Sequence, residues 1–434
     1  MTYIIEGDKN NMIKNSINNI NAIVVILFTV MFIYQYYYVL VVLLKHNNYR
    51  VNGKEKNKKN KFAVIVSARN ESNVIEEFIH TVDLQDYPSE LVDVYVVADN
   101  CSDDTAQKAR EAGAYVYERF DIDKIGKGYA LDFLFNKLRN KKIKYDGYFI
   151  FDADNLLSGN YISEMNNVFN NGYKIVTSYR NSKNYDSNWI SAGYSLWFLR
   201  ESKYLNYARM LLGNSCAVSG TGFLVSSDII DKNNGWKYHL LTEDIEFTID
   251  SVINREKIGY CNSACFYDEQ PTSFRDSWNQ RMRWSKGFYQ VFFKYGYKLF
   301  ESIFKNRDFS CYDMFMTISP TMIISVFIIM LNIITLLYSL IFNDLKTINL
   351  SIKYIYAYFI NTYFITYILG LLTTVTEWNN IQCKGYKKIL YTFTFPLFMF
   401  TYMPISICSI FKKVEWKQIK HSINKSIEDI EKVA

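Results

Sequence analysis

The stretch "FAVIVSARNESNVIEEFIHTVDLQDYPSELVDVYVVADN", residues 62–100, decides the fold class of this chain. It contains two short apolar runs, "FAVIVSA" and "VDVYVVA", and the segment between them, "NVIEEFIHTVDLQ", has the apolar spacing of a helix. The alternation continues with the helical "DDTAQKAREAGA", the strand-like "AYVYERF", the helical "GYALDFLFNKL" and the strand-like "YFIFDAD". Strands that alternate with helices predict an α/β domain with a mostly parallel sheet covered on both faces.

Polar residues follow three of these strands, at the sheet edge where ligands of such folds bind. "SARNE" ends the first strand, "ADNCSDDT" the second and "DAD" the fourth. Asp152 and Asp154 of "DAD" supply hard oxygen ligands that suit Mg²⁺ or Mn²⁺, although capping of a helix or turn by Asp154 is an equal alternative. No GxGxxG follows the first strand and no GxxxxGK[ST] occurs, which argues against a dinucleotide-binding fold and a P-loop enzyme.

Two motifs further along the chain carry reactive or ligand-binding side chains. In "LLTEDIEF", Glu243 and Asp244 follow Thr242 at the opening of a helix, where capping is their ordinary role. In "QRMRWSKG", Arg283 has the planar guanidinium that matches paired phosphate oxygens, and Trp284 offers a flat face for a sugar ring. Each motif alone has an ordinary structural explanation, so their order along the chain matters more than either one.

Apolar residues are concentrated in four runs, each about as long as the roughly 20 residues that cross a bilayer. The runs span residues 20–44, 315–342, 352–374 and 389–411. The first exceeds the roughly 7–15 apolar residues of a signal peptide, so we predict a retained membrane helix. The basic segment 45–61 predicts that the α/β domain after it lies in the cytoplasm, in a multi-pass protein of the cell membrane. Because basic residues cluster beside the apolar runs, the net charge of +6 indicates a lipid bilayer rather than nucleic acid as partner.

The motifs occur in a characteristic order: a strand-terminal Asn-Glu, an Asp-rich second loop, DxD, TED and QxxRW, between membrane helices. This order resembles the membrane-embedded processive glycosyltransferases of family 2, which include the cellulose, chitin, hyaluronan and poly-N-acetylglucosamine synthases. The resemblance covers the chain from about Phe62 to Gly287. It implies a GT-A-like nucleotide-diphospho-sugar transferase domain, a UDP-sugar donor, a growing polysaccharide as acceptor, and Mg²⁺ or Mn²⁺ as cofactor.

The resemblance also implies a role for each matching residue. Asp244, with Glu243 beside it, would be catalytic and would deprotonate the acceptor hydroxyl. The donor would be bound by Ser67, Arg69, Asn70, Glu71, Asp99, Lys127, Asp152, Gln280 and Arg283, the acceptor by Trp284 and Thr242, and the metal by Asp152 and Asp154. Two departures from the family pattern are "SARNE" in place of Pro-Ala-Tyr-Asn-Glu and Ala98 in place of the first of two common aspartates.

The predicted reaction is an inverting, processive transfer from a UDP-sugar to a β-linked polysaccharide that is exported across the membrane. The motifs do not identify the sugar; UDP-glucose and a cellulose-like or mixed-linkage β-glucan are our first choice. The alternatives are a poly-N-acetylglucosamine or hyaluronan-type synthase and a single-transfer polyprenyl-phosphate glycosyltransferase. A non-enzymatic membrane scaffold is a further alternative, but loss of TED or DxD would favour it and both motifs are present.

These patterns divide the chain into segments. They are an N-terminal segment (1–19), a transmembrane helix (20–44), a basic cytoplasmic linker (45–61), a cytosolic glycosyltransferase domain (62–290), an amphipathic interfacial segment (291–314), a transmembrane region (315–411) and a basic tail (412–434). Three further crossings after the domain would put the tail outside, whereas Lys412 and Lys413 predict that it is inside. Pro396 and Pro404 interrupt the last run, which makes a re-entrant or interfacial segment the alternative to a crossing. No motif predicts the oligomeric state.

Overall fold

The structure is a computed structural model that describes residues 2–45, 58–141, 143–415, 421, 423 and 425–431. Most of the predicted basic linker and part of the predicted basic tail therefore lie outside the described residues. Everything below concerns the described part of the chain.

A twisted eight-stranded sheet forms the centre of the described domain. Its strands are β1 (Phe62–Ala68), β2 (Val92–Asp99), β3 (Tyr115–Arg119), β4 (Gly147–Asp152), β5 (Leu156–Leu157), β6 (Ile175–Ser182), β7 (Phe223–Ser226) and β8 (Ile258–Asp268). Their order is β3-β2-β1-β4-β7-β6-β8-β5, with parallel pairs throughout β3 to β4 and between β6 and β8, and antiparallel pairs at β7 and β5. This order confirms the predicted α/β class with a mostly parallel sheet.

Helices cover both faces of this sheet. They are preceded by the long α1 (Thr2–Lys45) and comprise α2 (Ile75–Asp83), α3 (Thr105–Glu111), α4 (Lys127–Arg139), α5 (Tyr161–Asn170), α6 (Trp189–Arg200), α7 (Tyr207–Leu212), α8 (Ser227–Lys232) and α9 (Glu243–Ile253). The long α10 (Phe274–Asn306) follows and packs against α9. The first five residues of β1 are fully buried, as expected for a central strand with helices on both sides. The carboxyl ends of β1, β2 and β4 consequently meet at one edge of the sheet, where the polar loops lie.

The helices after the domain are α11 (Phe309–Ile318), α12 (Thr321–Ile341), α13 (Leu345–Thr376), α14 (Gly385–Phe400), α15 (Tyr402–Phe411) and α16 (Ile427–Glu431). Four described segments are long and apolar enough to cross a membrane: Lys14–Lys45, Thr321–Ile341, Leu345–Thr376 and Gly385–Phe411. Two boundaries differ from the sequence prediction. α10 continues without a break past residue 290, and the run predicted to begin at 315 is split near Pro320, whose ring cannot continue a helix from the preceding turn.

A buried ion pair joins α1 and α11 to the domain. The guanidinium of Arg209, in α7, donates hydrogen bonds of 2.7 and 2.9 Å to the carboxylate of Asp313, in α11. The hydroxyls of Tyr34 and Tyr38, in α1, donate to the same carboxylate at 3.0 and 2.7 Å. A buried carboxylate is costly unless several donors satisfy it, so this cluster specifies how α1 and α11 pack on the domain.

A second buried carboxylate, Glu377, follows α13 and anchors that helix. It pairs with Lys203 at 3.0 Å and accepts hydrogen bonds from Asn380, at 2.6 Å, and from the hydroxyl of Tyr179 in β6. Removing one partner would leave a buried charge without compensation, which is strongly destabilising. The ion pair therefore fixes the position of α13 on the domain.

The last apolar run is not one straight helix, because α14 ends at Phe400 and α15 begins at Tyr402. The buried Arg281, in α10, donates to the carbonyl of Phe398 at 3.2 Å and to Oγ1 of Thr401 at 2.6 Å. Its guanidinium also lies 4.3 Å from the centre of the Phe398 ring. Arg281 therefore holds the break in the run.

Both ends of this run contact the α/β domain. Near its start, Lys387 donates to the carbonyl of Asp186 at 2.9 Å. At its end, the carbonyl of Ile410 accepts from Lys286 of α10 at 3.2 Å. The run 389–411 thus begins and ends against the same domain.

Candidate active site

A cavity of about 640 Å³ opens at the carboxyl ends of β1, β2 and β4. It continues past α9 and α10 to Phe32 of α1, Met316 of α11, Met322 of α12 and Tyr402 of α15. Nearly all the sequence-predicted site residues line it: Ser67, Arg69, Glu71, Asp99, Lys127, Asp152, Asp154, Thr242, Glu243, Asp244, Gln280, Arg283 and Trp284. The fold therefore brings together motifs that are more than 200 residues apart in the chain.

The residues after β1 and β2 form one end of the cavity. Asn70 lies outside the lining: its backbone is left-handed, with φ of 54°, and its side-chain oxygen accepts a 2.7 Å hydrogen bond from the backbone N–H of Ser102. Asn70 thus ties the two loops together, and its predicted donor contact stays a prediction. Asp99 is buried and receives a 2.5 Å ion pair from Arg119, which fixes its carboxylate at the cavity wall.

Lys127, the first residue of α4, reaches across to the end of β4. Its ammonium lies 2.5 Å from Oδ1 of Asp152 and donates to the carbonyl of Gly220 at 2.9 Å. The neighbouring Gly128 allows the start of α4 to pack closely on the backbone of Tyr238, because a Cβ atom there would stand 2.2 Å from the carbonyl oxygen of Tyr238. The spacing "GKG" therefore places a cation beside the first aspartate of DxD.

Asp154 is buried and accepts a 2.8 Å hydrogen bond from the backbone N–H of Glu269. Burial alone would raise its pKa, but the nearby cations of His421 and Lys183 lower it below the ordinary range of an aspartate. Asp154 is therefore charged at neutral pH. Capping of a nearby helix or turn was the alternative role for Asp154, but its contact with Glu269, beyond β8, is not local.

The two DxD carboxylates fit a hard divalent cation that takes its remaining ligands from a bound diphosphate. Mg²⁺ in particular is commonly held by one or two carboxylates plus substrate phosphate oxygens. Within the described residues, no group of three or more His, Cys, Asp or Glu side chains forms a complete cage for a metal. Any metal at Asp152 and Asp154 would thus be held jointly with the donor.

The TED motif forms the amino-terminal turn of α9. Glu243 is buried and Asp244 is partly buried. Burial and the adjacent Asp244 carboxylate raise the pKa of Glu243 to about 7, and burial raises the pKa of Asp244. The Oγ1 atom of Thr242 is buried and has no hydrogen-bond partner among the described residues. A raised carboxylate pKa in a cavity is the property expected of a general base.

The QxxRW motif lies on α10 and faces the cavity. Arg283 donates to the carbonyl of Leu241 at 3.0 Å, next to TED, and Trp284 makes edge-to-face contacts with Tyr194 and Phe198. The buried Oε1 of Gln280 has no hydrogen-bond partner in the part of the chain that the structure describes. Buried polar atoms normally have hydrogen-bond partners. The unpaired oxygens of Gln280 and Thr242 on the cavity wall are therefore candidates for hydrogen bonds to a bound ligand.

Arg180 and His421 are residues of the cavity wall that the sequence did not predict. Arg180 forms an ion pair with Asp268 and lies 3.5 Å over the ring of Phe198. His421, from the tail, contacts Glu71 through Nδ1 at 2.9 Å. No spacing pattern marks an arginine inside a strand or a lone histidine in a basic tail, so sequence motifs could not have found them.

Sequence comparison places these features in a known family. The profile of the family described as "Glycosyltransferase like family 2" matches residues 59–287, more than half of the chain. YdaM, a probable glycosyltransferase of Bacillus subtilis (strain 168), is 25% identical over 328 residues, or 69% of this chain and 72% of that protein. A beta-monoglucosyldiacylglycerol synthase of Trichormus variabilis is 24% identical over 258 residues, 56% of this chain and 52% of that protein, so the chain spans about half its length.

Among solved structures, the mannosyltransferase PcManGT from Pyrobaculum calidifontis, in complex with GDP-Man and Mn²⁺, has a TM-score of 0.52 and 13% identity. The match covers 90% of this chain and 99% of that one. At this identity the likeness concerns the fold. Together with the family match, it confirms the predicted GT-A-like fold, and the chain is a hexosyltransferase that belongs to glycosyltransferase family 2.

Proposed function

We propose that the enzyme transfers a sugar with inversion from a UDP-sugar to a growing β-linked polysaccharide, with UDP-glucose and a β-glucan as the first choice. One observation carries this proposal: a single cavity runs from the DxD and TED carboxylates, past Trp284, to the apolar helices. A donor at the strand ends and an acceptor at the helix end would meet beside Asp244. The apolar helices then have a use, since they would line the exit path of the chain.

In the proposed mechanism Asp244 removes the proton from the acceptor hydroxyl. That oxygen attacks the anomeric carbon from the face opposite the diphosphate, so an α-linked donor gives a β-linked product. The raised pKa of Asp244 suits this role, because a base works best when its pKa lies near the working pH. Asp244 in turn raises the pKa of its neighbour Glu243, since two neighbouring carboxylates disfavour each other's charge.

The leaving UDP gains negative charge, which cationic side chains would stabilise where it develops. Lys127 and Arg283 both lie close enough to the TED carboxylates to affect their pKa values, so both are at the reacting end of the cavity. Asp152 and Asp154 would hold the Mg²⁺ or Mn²⁺ ion, which would supply further positive charge against the diphosphate. PcManGT was solved with a nucleotide sugar and Mn²⁺, which supports this choice of cofactor.

In the membrane arrangement that we propose, α1, α12 and α13 cross the bilayer and the run formed by α14 and α15 is re-entrant. Its two ends contact the same domain, which supports a return rather than a crossing. The catalytic domain and the tail would then both be cytoplasmic, and the basic residues of both flanks would be inside. This arrangement would agree with both the number of apolar runs and the positive charge of the tail.

A membrane lipid is a second candidate acceptor. The helix end of the cavity has apolar walls at Phe32, Met316, Met322 and Met399, which suit an acyl chain. One relative is, by its name, a synthase of monoglucosyldiacylglycerol. This single-transfer reaction would use the same donor site and the same base.

The experiment is to incubate the purified protein, in lipid nanodiscs, with each radiolabelled UDP-sugar and Mn²⁺, with and without added diacylglycerol. Label in an alcohol-insoluble product that a linkage-specific β-glucanase digests supports the polymer. Label that partitions into chloroform and increases with added diacylglycerol supports the glycolipid. Release of UDP with no sugar transferred to either fraction would contradict both.

A further inference from the structure

The end of the tail folds back onto the catalytic domain at the donor end of the cavity. The imidazole of His421 contacts the carboxylate of Glu71, just beyond β1, at 2.9 Å. The backbone N–H of Ile423 donates to Oε2 of Glu269, just beyond β8, at 3.1 Å. The ammonium of Lys425 donates to the carbonyl of Lys183 at 2.9 Å. The segment thus bridges loops that follow three different strands.

A small apolar contact holds the segment in place. Ile427 and Ile430, in α16, are buried and pack against Leu156 of β5 and Tyr267 of β8. Burial of two isoleucine side chains stabilises a docked segment considerably, because each buries a large apolar area. His421 is consequently held at the cavity by contacts that lie outside it.

The charge around His421 indicates what it does there. Glu71, Asp154 and Glu269 all face it, and all three line the cavity. A nucleoside diphosphate is anionic, so three carboxylates on one wall would repel it unless cations offset them. His421 is a tail group that offsets this charge, while Lys183 does so from within the domain.

We propose that His421 is a donor-binding residue in the wall of the donor pocket, and that the tail contacts of Ile423, Lys425, Ile427 and Ile430 hold it there. In this role, which rests on the proposed function, Nδ1 positions Glu71 and the other ring nitrogen contacts the diphosphate of the bound nucleotide. The catalytic domain as delimited by the family match, 59–287, is then incomplete without the chain end that follows the apolar helices.

The test is calorimetric titration of UDP, with Mn²⁺ present, into the detergent-purified full chain and three variants. A truncation that removes 421–434 and His421→Ala should each weaken UDP binding by about tenfold or more, the usual worth of one hydrogen bond to a charged group. Glu428→Ala is the matched control, because Glu428 lies on the exposed face of α16 and should leave the affinity unchanged. Thermal unfolding of each variant verifies that the domain is still folded.

A second measurement uses the unaltered protein and so does not depend on a variant's folding. UDP with Mn²⁺ should slow tryptic cleavage at Lys425, since a nucleotide bound to His421 would keep the tail docked on the domain. Faster cleavage on UDP binding, or tighter UDP binding by the truncated chain, would mean that the tail blocks the pocket. Equal UDP affinity of the truncated and full chains would mean that the tail has no role there. Either result overturns the proposal. A full chain that binds no UDP at all would instead contradict the proposed donor.

Discussion

Gly287→Ala tests whether the packing of α10 against the TED turn positions the reacting groups. A Cβ atom at Gly287 would stand 2.5 Å from Cγ2, 2.6 Å from Oγ1 and 2.9 Å from the backbone nitrogen of Thr242. Because carbon atoms pack at about 3.5–4 Å, the helix and the turn must separate by about 1 Å. The separation would displace Asp244, two residues beyond Thr242, relative to Gln280 and Arg283 on the helix.

The expected cost falls on activity more than on stability. Overpacking lowers the free energy of unfolding by about 1–3 kcal/mol, whereas replacing glycine by alanine inside a helix raises it by about 1 kcal/mol. The variant should therefore remain folded. A misplacement of about 1 Å, however, costs on the order of 10² in rate. The assay is kcat/KM from initial rates of UDP release at several donor concentrations, with thermal unfolding measured in parallel.

Gly296→Ala, in the same helix, is the control. The atom nearest to a Cβ there would belong to the side chain of Phe292, at 3.2 Å, and that side chain can move. We expect nearly normal kcat/KM for this variant. If Gly287→Ala is folded and equally active, close packing of α10 on TED does not set the geometry of the site, and our account of QxxRW fails.

Three further predictions concern single residues. Asp154→Asn should lower the affinity for UDP in Mn²⁺ to the value measured with a chelator, because an amide lacks the charge that a hard cation needs; unchanged Mn²⁺-dependent binding in titration calorimetry would return Asp154 to a structural role. The acidic limb of kcat/KM should lie above about pH 4, the ordinary range of an aspartate, since a base acts only when deprotonated and burial raises the pKa of Asp244; a limb at about pH 4 in the pH profile of initial rates would contradict this role. Trp284→Ala should shorten the products or increase donor hydrolysis while UDP binding is kept, because an aromatic face on a sugar contributes about 1 kcal/mol to acceptor binding; products of normal length and rate, measured by gel filtration, would make Trp284 a packing residue.

The sheet was predictable because its signals are local. Apolar runs bounded by polar loops mark buried parallel strands, and β1 occupies the same residues as the quoted "FAVIVSA". The convergence of DxD, TED and QxxRW was predictable only through the family resemblance, since each motif alone has an ordinary structural explanation. In the structure all three line one cavity.

The parts that could not be predicted depend on long-range contacts. Pro396 and Pro404 predicted an interruption of the last run, but not that Arg281 would contact the break at Thr401. Arg281 lies two positions before Arg283 on the same helix and contacts a different neighbour, a distinction that the letters "QRMRW" do not reveal. The return of the tail depends on its apolar contact with β5 and β8, and the letters of a basic tail carry no sign of that partner. Sequence periodicity reports which face of an element is buried, not what buries it.

The central claim is that Asp244 acts on the acceptor while DxD, Lys127 and Arg283 hold the donor. Its most direct test is Asp244→Asn, assayed in parallel for UDP affinity by titration calorimetry and for sugar transfer from the radiolabelled donor. We predict unchanged UDP affinity and a loss of transfer of about 10² or more, the usual contribution of a positioned general base. An equal loss of UDP binding, or transfer at the normal rate, would contradict the account.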